Sequence, residues 1–351
     1  MTGSRSSVPA MRTPAIETTD LTKTFTRGKS TVVAVDRLTL AVEPGELVAF
    51  LGPNGAGKST TLRMLTTLVA PTSGTMRLLG RDVVADPAGA RRCFGFVGQG
   101  NGAANIQYGR DEVIGQALAH GFGRREARVR ADEIIEVLGL TEFARRPVQT
   151  LSGGQRRRFD IAIGLVNRPE VMFLDEPSTG LDPANRAHLQ TLITDLHART
   201  GSTIVLTTHY LEEADALSRR ILVIDHGRLI ADDTADNLKA ALGDLVVLHF
   251  ADPASAQTAA PVLQRRHDRV EMLENRVHVR TGRGPFVALD LVEAVRAEGY
   301  EVGGLEVSRP SLDDVFLDLT GRSLRESAPN ADPTLDPTVE PGTTMSEEAV
   351  A

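Results

Sequence analysis

The 351-residue chain has one cysteine, Cys93, so no disulfide can form within it. Reduced thiols of this kind suit a reducing compartment, and Cys93 reads as a small packing residue rather than a nucleophile. The sequence also lacks any uncharged apolar run approaching the ~18 residues of a membrane span. Its first residues, MTGSRSSVPAMRTPA, lack the apolar core of a secretory signal. If the protein works at a membrane, another chain is expected to supply the spanning part. No heptad run is present, which argues against a long coiled coil. A strong charge bias is missing too: of the formal −7, residues 323–351 carry six acids against Arg325, leaving the body at −2. Neither a nucleic-acid-binding surface nor a strongly acidic body follows.

What is present is an ordinary globular balance, 41% hydrophobic and 24% charged. The length allows one large domain and a smaller one. Residues 1–14 are small and polar and are expected to be disordered. The segment STVVAVDRLTLAV alternates apolar and polar residues as half-buried antiparallel strands do. ELVAFLG, VMFLDE, STIVLTTH and RRILVIDHGRLI then read as strands of a largely parallel sheet, with helical patterns such as ANRAHLQTLITDLHART between them. GRREARVRADEIIEVLGLTEFARR is charged and helical in period, a helical insertion. Beyond about residue 240, DLVVLHF, NRVHVRT and YEVGGLEVS read as short strands, and AQTAAPVLQRR and PFVALDLVEAVRAEG as helices. This predicts an α+β appendage over 239–322, ending in the helix SLDDVFLDLTG. There Ser311 is the expected N-cap, with Val315, Phe316 and Leu319 packing inward. The tail from Ser323 places Pro329, Pro333, Pro337 and Pro341 four apart and is expected to be disordered.

The chemistry starts at GPNGAGKST, which fits G-x-x-x-x-G-K-[ST] and lies between a predicted buried strand and a predicted helix. Gly52, Pro53, Asn54, Gly55, Ala56 and Gly57 would form a loop that wraps its backbone N–H groups, which all but Pro53 carry, around phosphate oxygens at a helix N-terminus. Lys58 would reach the β- and γ-phosphates, Ser59 would ligate Mg²⁺, and Thr60 completes the motif. Asp175 and Glu176 end VMFLDE. In an extended segment they would point to opposite sides, one toward the magnesium ion and the other toward a water beside the γ-phosphate. LSGGQ, with Ser152, Gly153, Gly154 and Gln155, opens an amphipathic helix with a hydroxyl and bare amides, a second anion site.

These motifs together resemble the ATP-binding subunit of ATP-binding-cassette (ABC) transporters over residues 15–238. The resemblance implies a P-loop NTPase cassette: a mostly parallel sheet core, an antiparallel β subdomain and a helical insertion. It also implies ATP and Mg²⁺ as cofactors and hydrolysis of ATP to ADP and phosphate. Further roles follow from it. Phe25 would stack on adenine, Gln99 would touch magnesium and the attacking water, and His209 would contact the γ-phosphate. Glu176 would polarise the water. In the family the LSGGQ segment faces the P-loop of a second subunit, which implies a homodimer with Asp182, in STGLD, as an interfacial carboxylate. The C-terminal RPSLDDVFLDLTGR, with TTHYLEEAD and STGLDP, resembles the daunorubicin-resistance group of bacterial exporters. That implies a separate six-helix transmembrane permease, which would hold this chain at the cytoplasmic face of the membrane, and export of a hydrophobic or amphipathic compound such as a drug or antibiotic. Two other readings stand beside it: a non-transport cassette ATPase acting in translation or DNA repair, and a regulatory protein that binds ATP without hydrolysing it. One cassette per chain argues against the first, and the presence of Glu176 against the second.

Overall fold

The computed structural model describes residues 13–100, 102 and 106–321. The expected disorder of the N-terminal stretch, up to residue 12, and of the tail from Ser323 lies outside the described residues. Two long strands, β1 (Ile16–Arg27) and β2 (Ser30–Val42), pair antiparallel, with Leu38, Leu40 and Val42 buried between exposed or half-buried neighbours. β3 (Leu47–Leu51) is buried at all five positions and leads through a glycine-rich turn into α1 (Lys58–Leu65). β4 (Ser73–Leu78) and β5 (Arg81–Asp82) complete a four-stranded antiparallel sheet ordered β2-β1-β4-β5. α2 (Pro87–Cys93), capped by Asp86, passes to β6 (Phe94–Val97), a strand too short to stand out in the sequence.

The helical insertion is α3 (Gly109–Ala119) and α4 (Arg124–Val137), pinned together by Arg110 donating to Asp132 at 2.6 Å. α5 (Gly153–Gly164) follows, and Phe159 on it packs in one apolar cluster with Val113, Ala117, Ala131 and Ile135. Next come β7 (Val171–Asp175), α6 (Pro183–Thr200), β8 (Thr203–Thr208), α7 (Leu211–Leu217), β9 (Arg220–Asp225) and β10 (Arg228–Asp233). The central sheet is ordered β10-β9-β3-β8-β7-β6 and is parallel except for β10. RRILVIDHGRLI is therefore two strands rather than one. His226 (φ 48°) and Gly227 (φ 77°) both take left-handed backbone, the geometry that lets a tight turn match the twist of a hairpin.

α8 (Ala235–Leu242) precedes β11 (Asp244–His249), α9 (Pro253–Gln264), β12 (Val270–Leu273), β13 (Arg276–Thr281), α10 (Gly284–Ala297) and β14 (Gly304–Ser308). These four strands form an antiparallel sheet, β12-β13-β11-β14, with its own core of Val246, Leu248, Val277, Leu263, Leu291 and Val295. α11 (Leu312–Thr320) starts at the expected N-cap, where Ser311 and Asp314 form a capping box. Its apolar face differs from expectation. Leu319 is exposed and Leu312 is buried instead, because Leu312, Val315 and Phe316 form the stripe that meets the core of the six-stranded sheet against α7 and α8.

Candidate nucleotide-binding and hydrolysis site

The turn from β3 into α1 is shaped by two left-handed glycines, Gly55 (φ 78°) and Gly57 (φ 103°). Contact adds a second requirement. A β-carbon on Gly57 would strike the Ala34 carbonyl oxygen of β2, and one on Gly52 would strike the Ile224 carbonyl oxygen of β9. Gly227 N donates to Ala56 O at 2.9 Å, so the hairpin turn also fixes the loop. Pro53 and Ala56 are buried, Asn54 and Gly55 exposed, and Thr60 half-buried in the first helical turn. Lys58 is 4% exposed, and its Nζ donates to Gly52 O at 2.7 Å and Pro53 O at 3.0 Å. An ammonium has three protons, so one remains to point out of the loop. Burial pushes the Lys58 pKa down, and the nearby Glu176 and Asp175 carboxylates oppose that shift.

Beside this loop, Ser59 Oγ donates to Asp175 Oδ1 at 2.8 Å, and Gln99 Nε2 donates to Ser59 Oγ at 3.3 Å. A half-turn of the Gln99 amide presents its oxygen to the same point. The sequence placed these three residues around a magnesium ion, and their chemistry fits it: a hydroxyl, a carboxylate and an amide oxygen are hard donors. Among the described residues no group of three or more His, Cys, Asp or Glu could hold an ion. A single protein carboxylate suits a cation whose remaining ligands are phosphate and water oxygens.

Asp175 and Glu176 do point to different partners, but strand alternation is not the cause. β7 ends at Asp175, and Glu176 takes left-handed backbone (φ 45°), uncommon for a residue with a side chain. Two threonines hold it there. Glu176 N donates to Thr207 Oγ1 at 2.9 Å, and Thr179 Oγ1 donates to Glu176 Oε2 at 3.0 Å. The Thr207 hydroxyl in turn donates to Asp175 Oδ1 at 2.6 Å. His209 Nδ1 lies 3.4 Å from Glu176 Oε2. Burial pushes the Glu176 carboxyl upward, but His209, the Lys58 charge and Thr179 outweigh it and hold it below its ordinary value. The His209 ring lies against Tyr210, 4.1 Å between centroids, and the Arg186 guanidinium sits 4.1 Å over the Tyr210 ring.

The remaining predicted residues lie around this centre. Ser152 caps α5 in a capping box with Gln155, its hydroxyl accepting from Gln155 N at 3.3 Å while Gln155 Oε1 accepts from Ser152 N at 3.0 Å. Gly154 fits against Asn185 of α6 with no room for a β-carbon, and Gly153 lies next to Leu181. No hydrogen bond or ion pair among the described residues joins Ser152–Gln155 to Gly52–Thr60. Asp182 is exposed and caps α6, accepting from Asn185 N at 3.0 Å, and that bond lowers its pKa. Phe25 is 42% exposed on β1, with Lys23 Nζ 5.0 Å from its ring centroid.

Sequence reasoning missed Thr207 and Arg157. Thr207 was visible as a hydroxyl inside an otherwise apolar strand, STIVLTTH. Arg157 was visible from spacing, because Gly154, Arg157, Ile161 and Gly164 share one buried face of α5.

Residues 35–179 match the ABC transporter family. The chain is 38% identical over 312 residues to the doxorubicin resistance ATP-binding protein DrrA of Mycobacterium tuberculosis, covering 87% of this chain and 93% of that protein. It is 42% identical over 294 residues to the daunorubicin resistance ATP-binding protein DrrA2 of Streptomyces coeruleorubidus, covering 82% and 90%. Among solved structures it is similar to a dimeric post-hydrolysis state of the ATP-binding cassette MJ0796 bound to ADP and Pi, with TM-score 0.58 and 27% identity. That likeness covers 62% of this chain and 98% of the other. With a phosphate-cradling loop, a hard-oxygen donor set and a strained glutamate brought together, and with these relatives over most of its length, the chain belongs to the ABC transporter family, among its ATP-binding subunits.

Proposed function

We propose that this chain hydrolyses ATP to drive export of a hydrophobic or amphipathic compound, of the drug class its resistance relatives are named for, through a separate membrane permease. The observation that carries the hydrolytic part is the meeting of Ser59, Asp175 and Gln99 at one point with Glu176 and His209 beside it. In this reading residues 15–238 are the ATPase domain and 239–322 a C-terminal unit. Phe25 stacks on adenine. The backbone N–H groups of the Gly52–Gly57 loop, which all but Pro53 carry, and the free proton of Lys58 hold the β- and γ-phosphates. Ser59, Asp175 and Gln99 hold Mg²⁺, which when bound neutralises charge on the phosphate oxygens. Glu176, ionised at neutral pH, accepts the proton of the attacking water, and His209 orients the γ-phosphate.

Ser152, Gly153, Gly154, Gln155 and Asp182 are assigned to the face of a homodimer that closes over the partner subunit's nucleotide. The dimeric cassette among the solved relatives supports this. Among the described residues no helix is long and apolar enough to cross a membrane, which fits attachment to the cytoplasmic face of the membrane through the permease. Roles in translation or DNA repair are not favoured, since the relatives reported above are resistance proteins.

The test is Glu176→Gln. The variant is expected to bind ATP as the wild type does and to lose about 10²–10⁴-fold in turnover. Steady turnover by the variant would remove Glu176 as the base. Co-purification with a co-expressed six-helix permease, followed by ATPase measurement with and without doxorubicin, tests the export part.

A further inference from the structure

Arg157 stands on the inward face of α5, two residues past Gln155, and is 7% exposed. Its Nε donates to Pro177 O at 2.8 Å, its Nη1 to Gly98 O at 2.6 Å and its Nη2 to Asp175 O at 3.1 Å. Asp160 pairs with it only at the long distance of 3.9 Å, so the short contacts of the guanidinium are to backbone carbonyls. Burial lowers its pKa, and Asp160, Asp175 and Glu213 oppose that.

These three carbonyls are not scattered. Gly98 precedes Gln99, Asp175 is itself the metal carboxylate of the proposed site, and Pro177 follows Glu176. The end of β6, the end of β7 and the loop before α6 thus meet on one side chain of a fourth segment. Packing alone does not call for an arginine here. Phe159 and Ile161 already anchor α5 in the core, and burying a guanidinium carries a desolvation cost an apolar residue would avoid. What only arginine supplies is a flat fork of five donors, able to reach three acceptors in different directions.

We propose that Arg157 is a positioning residue for hydrolysis, setting the backbone of Gln99, Asp175 and Glu176 relative to one another. The proposal rests on the roles assigned to those three residues above. The hydrogen bonds of the Arg157 guanidinium go to backbone carbonyls rather than to the side chains assigned to nucleotide and metal, so its removal should leave ATP binding largely intact and disturb the geometry of cleavage.

The test compares wild type, Arg157→Gln, Arg157→Lys and Glu176→Gln as full-length proteins, by ATP binding, steady-state ATPase across a magnesium titration, and thermal unfolding. Arg157→Gln is expected to lose about 10²-fold in kcat, the scale of an ångström's misplacement, with ATP affinity close to wild type. Its half-saturating magnesium concentration should rise several-fold. Arg157→Lys should fall between, since a point charge cannot span three carbonyls. The proposal is overturned by a folded Arg157→Gln with wild-type kcat and magnesium dependence, or by full activity in Arg157→Lys. It is overturned equally if ATP binding and Tm fall in step with kcat, which would mean a structural role only. Should Arg157→Gln fail to fold, Arg157→Lys carries the same comparison. Normal turnover in Glu176→Gln would instead count against the hydrolytic reading, whatever the Arg157 variants do.

Discussion

Thr207→Val removes one hydroxyl and almost no volume. Thr207 is fully buried, and its hydroxyl serves two partners at once, donating to Asp175 and accepting from the Glu176 amide. Valine leaves the Glu176 N–H without an acceptor at a residue already in left-handed backbone, and leaves Asp175 Oδ1 with Ser59 as its one remaining hydroxyl donor. A hydrogen bond to a charged group contributes about 1.5–3 kcal/mol, and an orphaned buried donor costs about 1–3 kcal/mol. The two losses share an atom and do not simply add, so a total near 3 kcal/mol is the working figure. For a cooperative unit of about 150–250 residues that lowers Tm by roughly 6–12 °C.

Activity should fall further than stability. The orphaned amide belongs to Glu176, the residue proposed as the base, and a slackened backbone there should cost about 10²-fold in kcat. Thr207→Ser is the control: it keeps both hydrogen bonds and loses one methyl, about 1 kcal/mol. Thermal unfolding and steady-state ATPase at saturating Mg-ATP decide the matter. If Thr207→Val melts within a degree or so of wild type, or if serine is as damaging as valine, the hydroxyl is not what holds Glu176 in place and the reasoning fails.

Two further predictions use groups away from the cleavage chemistry. Glu213 of α7 is fully buried, and burial raises its pKa despite the neighbouring Thr208 and Ser178 hydroxyls and the Arg186 charge. A raised acid keeps its proton longer folded than unfolded, so it costs stability as pH climbs past its unfolded value. Glu213→Gln should therefore melt with wild type near pH 4 and above it at pH 8, and a Tm difference independent of pH would refute this. Phe316→Ala should destabilise the ATPase core by about 3–5 kcal/mol, because Phe316 sits in that core and not in the C-terminal sheet's own cluster. A cassette that unfolds at the wild-type temperature in urea or heat would contradict the packing.

The site motifs were legible because their chemistry restricts residue type. Only glycine suits the left-handed turn before Lys58 where the Ala34 carbonyl approaches, and only hard oxygens suit the Ser59–Asp175 pairing. The elements around them followed from periodicity, as in β3 and β7, where unbroken apolar runs mark strands covered on both faces. What stayed hidden depends on contacts between distant segments. β6 is four residues long, and its pairing with β7 is decided by the sheet rather than by its own pattern. Glu176 looked like the last residue of a strand, yet Thr207 from the neighbouring strand's end pulls its amide out of the ladder. The hairpin at His226-Gly227 was readable in principle, since a residue tolerant of left-handed backbone followed by glycine is a turn signal.

The C-terminal string that marks the exporter group gains a physical meaning from where α11 docks. α7 begins two residues after His209, and Leu211, Ala214 and Leu217 on it belong to the same core as Leu312, Val315 and Phe316 of α11. α8 closes the arrangement, with Lys239 donating to Asp215 of α7 at 2.7 Å. The helix that begins just after His209 is thus walled by the segment that follows the C-terminal sheet. The Ser311–Asp314 capping box fixes the residue at which that wall begins. Residues selected for this docking must keep an N-cap, two early acids and an apolar stripe, which accounts for the wording SLDDVF without reference to cargo. If the permease carries the compound, the marker reports how the ATPase is braced, and cassettes for different cargoes can share it.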